Sequence, residues 1–490
     1  MMRILHVASE VVPLVKTGGL GDVVGALPVA QKRLGADARL LIPGYPAVID
    51  KLKSQDLLSH EPIFVGPAFG ASGVRLLRAT LPETDVPLFV LDAPWLFQRE
   101  GELYTDPLGK SWSDNHLRFG LFGWVAAQIT AGQLVPDWAP DLLHCHDWHA
   151  GLAFAYLAQH PVPSAPRVFT IHNLAFQGLF PANTASALML SDELMTPNFL
   201  EFHRDLSFIK AGLVFADLVT TVSPNYALEI LRPEFGHGLD GLLRTRKDKL
   251  LGVLNGIDTQ VWNPATDRAL AEPFSINSLD AREVNRVALT EEFGLPAPIT
   301  DHPVLGVVSR LSAQKGLDVL VSQMPEAIEH GCQFVILGTG DPEIESSLVA
   351  LQRQFPDRVS VRIGFDEQLA HRIYGGSDAV IVPSRFEPCG LTQLYGLRYG
   401  AVPIVTPVGG LADTVVDESN PLPGRPANGF VHASGQKFAL TLIRAIDAFR
   451  DKARWRALVS AGMREDNSWD QPARAYLDAY QQIKPKQWAL

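Results

Sequence analysis

Charged and glycine-rich segments follow several short apolar runs of the sequence, in patterns that suit binding of an anion. The first segment, Lys16-Thr17-Gly18-Gly19-Leu20-Gly21-Asp22, comes after the apolar run 3–9 and Glu10. Glycines let backbone N–H groups approach a phosphate, and the positive end of a helix that begins near Asp22 adds to the attraction. An ordinary flexible turn between a strand and a helix has the same composition, so both interpretations stay open at this point.

Two common phosphate-binding motifs do not fit this segment. The chain has no Gly-x-x-x-x-Gly-Lys-Ser/Thr motif, and Gly19-x-Gly21 is followed by Val24 where the dinucleotide fingerprint has Gly or Ala. The segment therefore argues against a nicotinamide-dependent oxidoreductase.

Two cations, Arg310 and Lys315, lie on either side of Leu311-Ser312-Ala313-Gln314 after the apolar run 304–309. A guanidinium binds a diphosphate through paired hydrogen bonds, and an ammonium adds a compact charge. The alternative is that both are solvated surface cations. Gly338-Thr339-Gly340 at the end of the next apolar run favours the binding interpretation.

A carboxylate, Glu387, lies between the apolar run 379–383 and Pro388-Cys389-Gly390. It could accept hydrogen bonds from sugar hydroxyls or stabilise positive charge that develops on a sugar ring. The alternative is an acid that interacts only with the dipole of a helix beginning near Leu391. His172 and Asn173 end the apolar run 167–172 in a similar position.

The run His144-Cys145-His146-Asp147-Trp148-His149 has the residue types of a metal site. Side chains alternate between the two faces of a strand, so we expect His144 and His146 on one face and Cys145 on the other. Such a group does not converge on one ion. The chain also has no Asp-x-Asp pair that would hold a divalent cation against a diphosphate. We therefore expect neither a metal nor a cofactor.

The elements that must position these residues alternate along almost the whole chain. Short β-rich apolar runs followed by longer amphipathic runs predict an α/β fold with doubly wound parallel sheets, in which ligands bind at the carboxyl ends of strands. The predicted strands are 3–9, 37–42, 141–146, 167–172, 218–222, 304–309, 333–337, 359–363, 379–383 and 402–406. The predicted helices are 22–34, 115–131, 206–216, 282–293, 317–330, 343–354, 366–375, 391–399, 435–450 and 471–483.

Length and turn density predict more than one domain. A chain of 490 residues corresponds to roughly three domains or two large ones. Turn residues are dense from Asn255-Gly256-Ile257-Asp258 to Pro296-Ala297-Pro298, so we place a domain junction near residue 250. The chain then ends in an amphipathic helix.

Composition excludes several classes of protein. Lys and Arg number 42 against 53 Asp and Glu, a net charge of −11, which argues against a nucleic-acid partner. No apolar run approaches the ~20 residues of a membrane-spanning helix. The three cysteines include no Cys-x-x-Cys pair, and no signal-peptide pattern follows Met1, so we expect a cytoplasmic protein.

Five motifs, taken in order, resemble those of the family of bacterial glycogen synthases and plant starch synthases. They are Lys16-Thr17-Gly18-Gly19-Leu20-Gly21-Asp22-Val23, His146-Asp147-Trp148-His149, Thr170-Ile171-His172-Asn173, Asn255-Gly256-Ile257-Asp258 and Glu387-Pro388-Cys389-Gly390-Leu391-Thr392. The resemblance spans essentially the full chain.

The resemblance implies the GT-B architecture, with two Rossmann-like domains facing a central cleft. These would be an acceptor-side domain at 1–250, a donor-binding domain at 251–468 and a C-terminal helix at 469–490 that crosses back to the first domain. It also implies a retaining glucosyltransferase that uses ADP-glucose and no cofactor. The acceptor would be the non-reducing end of an α-1,4-glucan such as glycogen or a maltooligosaccharide.

The resemblance also assigns roles to individual residues. Lys16 and the backbone of Gly18 and Gly19 would contact the diphosphate from the first domain, and Arg310 and Lys315 would grip it from the second. Glu387 and the backbone carbonyl of His172 would lie beside the donor glucose. The remaining substrate-binding residues would be Glu10, Asp22, Tyr104, Asp147, Trp148, Asn173, Cys389, Gly390, Leu391 and Thr392.

One position departs from the wider GT-B group, in which a second glutamate often lies eight residues after the first. That position is Tyr395 here, as in the starch synthase branch. The second glutamate usually contacts the ribose, and how Tyr395 substitutes for that contact stays open. The rival functions are a glycoside hydrolase, a sugar-nucleotide sensor without catalysis and a transferase that uses UDP-glucose. The sequence does not predict the oligomeric state.

Overall fold

The computed structural model describes residues 1–69, 71–159 and 165–483, and these separate into two units. Unit 1 contains Met1–Val222, Ala227–Gly256 and the segment that begins at Trp469. Unit 2 contains Ser223–Tyr226 and Ile257–Ser468. Of the segment 469–490 that the sequence analysis assigned to a C-terminal helix, residues 484–490 lie outside the described residues.

The secondary structure alternates as an α/β fold requires. The strands are β1 Arg3–Val7, β2 Asp37–Pro43, β3 Phe64–Ala68, β4 Ala71–Thr80, β5 Pro87–Asp92, β6 Leu142–His146, β7 Arg167–Ile171, β8 Leu179–Pro181, β9 Glu201–Phe202, β10 Asp205–Ser207, β11 Leu218–Thr221, β12 Leu250–Gly252, β13 Val304–Val308, β14 Gln333–Gly338, β15 Val359–Ile363, β16 Ala379–Val382, β17 Val402–Val405 and β18 Phe430–Val431. The α-helices are α1 Gly19–Arg33, α2 Pro46–Ser54, α3 Pro94–Phe97, α4 Asn115–Thr130, α5 Asp147–Gln159, α6 Phe208–Phe215, α7 Pro224–Glu229, α8 Asp240–Thr245, α9 Arg282–Glu292, α10 Leu317–Gly331, α11 Pro342–Gln354, α12 Glu367–Gly376, α13 Thr392–Tyr399, α14 Gly409–Thr414, α15 Phe438–Arg450, α16 Lys452–Arg464 and α17 Asp470–Gln482. Short 3-10 turns occur at Ala182–Leu188, Asp192–Leu194, Lys247–Lys249 and Leu279–Ala281.

Unit 1 is built on a sheet in which nine strands of the described chain follow the order β12-β11-β7-β6-β1-β2-β5-β4-β3. Neighbouring strands are parallel from β12 to β5, whereas β4 and β3 are antiparallel additions at one edge. Both faces of β6 are buried, which explains its continuous run of buried residues. A small antiparallel sheet of order β8-β10-β9 follows β7 in the chain.

Unit 2 contains a parallel sheet of order β15-β14-β13-β16-β17-β18. Counted within this unit, that order is the 3-2-1-4-5-6 of a doubly wound fold. Side chains of β13 alternate between two core clusters. Leu305 and Val307 pack with α10, α11 and α15 on one face, and Val304 packs with α9 and α12 on the other.

The C-terminal helix α17 packs in unit 1. Its buried Ala473, Tyr476 and Tyr480 form a core cluster with residues that include Ile4 of β1 and Leu27 of α1. The apolar stripe of an amphipathic helix needs such a partner surface, because isolated helices of this length are marginal in water.

The predicted elements are present with small differences at their ends. Each predicted strand ends within two residues of an observed strand, and each predicted helix within three residues of an observed helix. The largest difference of interest is in α1, which begins at Gly19 rather than near Asp22, so the glycine-rich segment forms its first turn.

Several elements were missed. The strands β3 and β4 form an antiparallel edge pair, and the exposed and buried residues of β3 alternate, so the search for continuous apolar runs passed over it. In contrast, β5 has the same apolar signal as the predicted strands and was overlooked. Helix α16 was overlooked as well. No helix among the described residues is long and apolar enough to cross a bilayer.

Close packing of α5 against α6 depends on Gly151. A Cβ atom at this position would lie 2.1 Å from the backbone carbonyl oxygen of Phe208, whereas one at Gly241 of α8 would have no neighbour closer than 3.9 Å. We expect Gly151→Ala to lower the free energy of unfolding of unit 1 by about 1–3 kcal/mol, because two helix backbones must separate. The matched control, Gly241→Ala, is expected to raise it by up to about 1 kcal/mol.

Thermal unfolding of the two variants and the parent chain measures this difference. Equal midpoints for Gly151→Ala and Gly241→Ala would contradict the packing of α5 on α6.

Candidate functional site

Each unit brings candidate residues together at the carboxyl ends of adjacent strands where the chain direction diverges. In unit 1 these strands are β1 and β6, followed by Glu10 and Asp147. In unit 2 they are β13 and β16, followed by Lys315 and Glu387. Ligands of doubly wound sheets bind at such switch points.

The glycine-rich segment of unit 1 binds a carboxylate of the same unit. The backbone N–H groups of Thr17 and Gly18 donate to Oε2 of Glu10 at 2.6 and 3.3 Å, and the Thr17 hydroxyl donates to Oε1 at 2.7 Å. Gly18 precedes the first residue of α1, so the carboxylate lies at the positive end of that helix. The backbone donors of this segment thus bind an anionic side chain of the protein itself.

Glu10 and Tyr104 form one hydrogen-bonded group. The Tyr104 hydroxyl donates to Oε1 of Glu10 at 2.6 Å and lies 2.7 Å from Oγ of Ser9. Burial and the neighbouring Glu10 carboxylate raise the pKa of Tyr104 well above its usual value, so its proton stays on the hydroxyl. Lys16 lies nearby in sequence and pairs with Asp22 at 3.2 Å.

Asp147 joins the ends of β6 and β7. Its Oδ1 accepts hydrogen bonds from the backbone N–H groups of His172 at 2.7 Å and Asn173 at 3.4 Å. Its φ of 55° is in the left-handed region, which aspartate and asparagine tolerate better than most residues. Burial raises the pKa of Asp147 to about 7. Trp148, the next residue, is also buried.

In unit 2, Nζ of Lys315 lies 2.6 Å from Oε2 of Glu387, and the Ser384 hydroxyl donates to the same oxygen at 2.8 Å. The two members of the pair line one pocket together with other residues of the β13 and β16 ends. Those other residues include Ser309, Ser384, Gly390, Leu391 and Thr392. Arg310 directly follows the lining residue Ser309 in the sequence. Its side chain is exposed, and it is not among the residues that line this pocket.

Two glycines that the sequence analysis did not single out hold the Glu387 loop. A Cβ at Gly409 would lie 1.9 Å from the Glu387 carbonyl oxygen, and one at Gly410 would lie 2.1 Å from the Cys389 carbonyl oxygen, both far inside van der Waals contact. The backbone N–H of Gly410 also donates to the Glu387 carbonyl at 3.2 Å. Only glycine allows α14 to approach the loop this closely, and the Gly-Gly pair was the available signal.

The histidine run of β6 gains a third partner. His144 and His146 share a face as predicted, but His6 of the parallel neighbour β1 lies opposite His144 and joins them. One ring nitrogen from each of the three lies within 4.8 Å of the others, a spacing that could suit a metal ion. The sequence analysis considered only the run itself and did not include His6, because the sequence alone does not show which residue of a neighbouring strand lies alongside.

The ring nitrogens of these histidines are already engaged by protein groups. His6 contacts Gln31 at 2.7 Å and His146 at 3.1 Å, and His144 contacts Thr170 at 2.6 Å. A metal ion would have to displace these hydrogen bonds, so the set fits a hydrogen-bonded core better than a resident ion.

Tyr395, at the position of the second glutamate of the wider group, is buried. Its ring stacks on Trp262 with centroids 3.8 Å apart, and Trp262 stacks on His371 at the same separation. Tyr395 therefore contributes an aromatic ring rather than a carboxylate at this place in unit 2.

Comparisons with known proteins show the family to which this chain is related. The model of the starch synthase catalytic domain matches residues 3–245, and that of the group 1 glycosyl transferases matches residues 302–470. The chain is 46% identical over 485 residues to a glycogen synthase of Roseobacter denitrificans, covering 98% of this chain and 99% of that protein. It is 47% identical over 485 residues to a glycogen synthase of Rhodopseudomonas palustris, covering 98% and 97%.

Solved structures are similar as well. The catalytic domain of starch synthase IV from Arabidopsis thaliana, bound to ADP and acarbose, matches with a TM-score of 0.88 and 32% identity, covering 98% of this chain and 99% of that one. A sucrose-phosphate synthase from Thermosynechococcus elongatus matches with a TM-score of 0.59 and 19% identity over 99% of both chains, which is a likeness of fold.

The buried carboxyl of Asp147 predicts a pH dependence of stability. Its pKa rises from 3.8 to about 7 on folding, so the unfolded chain releases a proton that the folded chain keeps between these values. The stability contributed by the protonated group is full below pH 4 and is lost as the pH rises to about 7. We expect the unfolding midpoint of Asp147→Asn, relative to the parent, to increase over this range and to be constant above it.

The matched control is Asp141→Asn. The Arg3 side chain lowers the pKa of Asp141, so its difference from the parent should stay constant between pH 5 and 8. Thermal unfolding at half-unit pH steps measures both, and a flat profile for Asp147→Asn would contradict the buried, protonated carboxyl.

Proposed function

The chain belongs to the family of glycogen synthases and starch synthases and is a glucosyltransferase, and from this premise we propose how its residues use ADP-glucose and an α-1,4-glucan. In the proposed reaction, glucose moves from ADP-glucose to the non-reducing 4-hydroxyl of the glucan with retention of configuration. Unit 2 binds the donor and unit 1 contributes the acceptor side.

The pairing of Lys315 with Glu387 at the switch point of unit 2 carries the proposal. Breaking the glycosidic bond leaves negative charge on ADP and positive character on the glucose ring. An ammonium that faces the phosphates and a carboxylate that faces the sugar both stabilise that charge separation, and they gain more as the bond breaks than in the ground state. The two groups lie 2.6 Å apart, which supports a role for both at one bond of the donor.

Donor binding must exchange the partners of this pair. The diphosphate takes Lys315, with Arg310 as a second cation, and sugar hydroxyls take Glu387. The Ser384 hydroxyl, at 2.8 Å, keeps Glu387 oriented when Lys315 turns to the phosphate. Backbone N–H groups of Leu391 and Thr392 at the start of α13 add hydrogen bonds to the diphosphate. Gly390, which lines the pocket, lies beside the sugar in this proposal, as does its neighbour Cys389.

Unit 1 supplies the remaining contacts in this proposal. Lys16, held by Asp22, and the backbone of Gly18 and Gly19 meet the diphosphate at the positive end of α1, where Glu10 now binds. Displaced from these N–H groups, Glu10 is available with Tyr104 for hydroxyls of the acceptor.

Asp147 sets the backbone on the sugar side. Because it binds the N–H groups of both His172 and Asn173, it fixes the peptide whose carbonyl belongs to His172. We place this carbonyl near the anomeric carbon, with Asn173 and Trp148 beside the sugar. Closure around the substrates would exclude the water that otherwise hydrolyses the donor.

The ADP bound in the related starch synthase IV structure supports a sugar donor that carries an adenine nucleotide. The acarbose bound in that structure supports a glucan acceptor. All three cysteines are free thiols in the structure, which suits the proposed cytoplasmic location. The net charge of −11 argues against nucleic acid as a partner.

A direct assay tests the donor and the reaction together. The purified chain is incubated with a maltooligosaccharide and either ADP-glucose or UDP-glucose, with and without a chelator, and nucleoside diphosphate release and chain extension are followed. We expect extension by single glucose units with ADP-glucose, undiminished by the chelator. Faster extension with UDP-glucose would overturn the donor, nucleotide binding without extension would indicate a sensor, and glucan shortening without nucleotide would indicate a hydrolase.

Removing one charge at either end of the proposed site tests the roles of its residues. We expect Glu387→Gln to lower kcat by about 100-fold or more. We expect Lys16→Gln to lower kcat/KM for ADP-glucose by about 10- to 100-fold, the worth of a charged hydrogen bond. The matched controls are Glu283→Gln and Lys437→Gln, whose side chains are mostly exposed, and these should retain parental rates.

Initial rates and thermal unfolding are measured for each protein. A folded Glu387→Gln variant with near-parental turnover would overturn the assignment of Glu387 to the sugar.

A further inference from the structure

A continuous chain of buried hydrogen bonds leads away from His172 through the core of unit 1. Nε2 of His172 lies 3.0 Å from Nδ1 of His146, and Nε2 of His146 lies 3.1 Å from Nδ1 of His6. Nε2 of His6 then lies 2.7 Å from Oε1 of Gln31 on α1. All four residues are buried, so no water competes for these bonds.

The chain continues through the C-terminal helix. Nε2 of Gln31 donates to the hydroxyl of Tyr480 on α17 at 3.2 Å, and this hydroxyl lies 2.7 Å from Nδ1 of His144. Nε2 of His144 lies 2.6 Å from the Thr170 hydroxyl, which lies 2.6 Å from that of Thr220. The helix α17 thus joins two branches of hydrogen bonds, and each branch includes a histidine of the same strand, β6.

The direction of each bond follows from the chemistry of the groups. Burial lowers the pKa of His6 to about 4 and that of His172 to about 3, and it lowers the pKa values of His144 and His146 well below the usual value, so all four rings are neutral at pH 7. A neutral imidazole has one N–H donor and one acceptor nitrogen. One fixed partner therefore determines the tautomer of every ring in a chain.

Gln31 is that fixed partner. Its Oε1 only accepts, so His6 carries its proton on Nε2 and accepts on Nδ1. His146 must then donate from Nε2 and accept on Nδ1, and His172 must donate from Nε2. All three rings on this branch have the Nε2–H form.

The orientation of the Gln31 amide depends in turn on Tyr480. The amide N–H of Gln31 donates to the Tyr480 oxygen, so the hydroxyl proton is free to bind Nδ1 of His144, which leaves His144 in the Nε2–H form as well. This arrangement places the N–H proton of all four rings and the hydroxyl proton of Tyr480 in hydrogen bonds, whereas a buried donor without an acceptor costs about 1–3 kcal/mol. If the amide rotated by 180°, its N–H would meet the N–H of His6, and each ring on the branch would have to exchange tautomer.

We propose that Tyr480 and Gln31 are positioning residues that act through His6 and His146 on His172. We also propose that they hold the four histidines of this hydrogen-bond chain in the Nε2–H form. This inference rests on the proposed function for one point only, the location of the His172 peptide at the transferred sugar. The hydrogen bond to His146 holds the ring of His172, and Asp147 holds its backbone N–H, so both the side chain and the backbone of this residue are constrained. A C-terminal helix far from residue 172 in sequence thereby sets the position of the His172 peptide, whose carbonyl we place at the sugar.

The tautomers are measured directly in the full-length protein labelled with ¹⁵N-histidine. Long-range ¹H–¹⁵N correlation distinguishes a protonated from an unprotonated ring nitrogen, and single histidine-to-glutamine variants assign the four signals. We expect Nε2–H for His6, His144, His146 and His172 at pH 7. Any other set of tautomers overturns the proposed hydrogen-bond chain. A change of these ring signals on dialysis against EDTA overturns it as well, because it would mean that a metal ion shares the cluster.

The coupling is tested with Tyr480→Phe and Gln31→Met, which remove the hydroxyl or the amide and keep the size of the side chain. We expect each to release the single tautomer of His172 and to lower kcat about tenfold, with KM for both substrates changed less than twofold. The double variant should lose no more than either single one, because both break the same chain. A parental His172 signal or a parental kcat in a folded Tyr480→Phe protein overturns the coupling.

The matched control is Tyr156→Phe in the same unit. The buried hydroxyl of Tyr156 donates to the Leu188 carbonyl at 2.9 Å and lies outside the chain, so its loss tests the general cost of removing a buried hydroxyl. We expect parental kcat and parental histidine signals for this variant, and an equal fall in kcat for Tyr156→Phe and Tyr480→Phe overturns the coupling.

Failure of the two proposals is distinguishable. Absence of glucosyl transfer by the parent chain would overturn the proposed function, and the tautomers would still test the hydrogen-bond chain.

Discussion

Buried parallel strands place the residues proposed for the site at the carboxyl end of each sheet. The faces of such strands are filled mostly by apolar side chains, and the backbone of each strand is used in pairing, so polar groups that can reach a ligand are found beyond the strand ends. At the switch points there is also room, because the chain leaves neighbouring strands in opposite directions. Glu10 and Asp147 in unit 1, and Lys315 and Glu387 in unit 2, all lie there.

The groups assigned to the ligand are already paired inside each unit. Glu10 binds the N–H groups at the start of α1, Lys16 pairs with Asp22, and Lys315 pairs with Glu387. A partly buried charge without a counter-ion is costly, so these pairs let the site form before any substrate arrives. In the proposed reaction, substrates then exchange partners with these groups instead of filling an unsatisfied site.

The sequence pattern predicted the elements well and the contacts between them poorly. Periodicity depends on each residue and its near neighbours, which is why strands such as 379–383 and the motif at Glu387 were found. Contacts between strands depend on register, which no pattern within one strand reveals: His6 was missed although it lies opposite His144. The hydrogen bond from the Gly18 N–H to Glu10 was missed for the same reason, since it depends on the three-dimensional course of the loop.

Helix α17 shows how a buried polar group carries information that an apolar stripe does not. Its periodicity predicted a helix, and Ala473 and Tyr476 supply apolar surface that many partners could cover. The Tyr480 hydroxyl is more demanding, because in the core it must find both a donor and an acceptor. Gln31 and His144 provide them at fixed places in the core, so a hydrogen-bond chain that adds little net stability still helps to select the position of the helix.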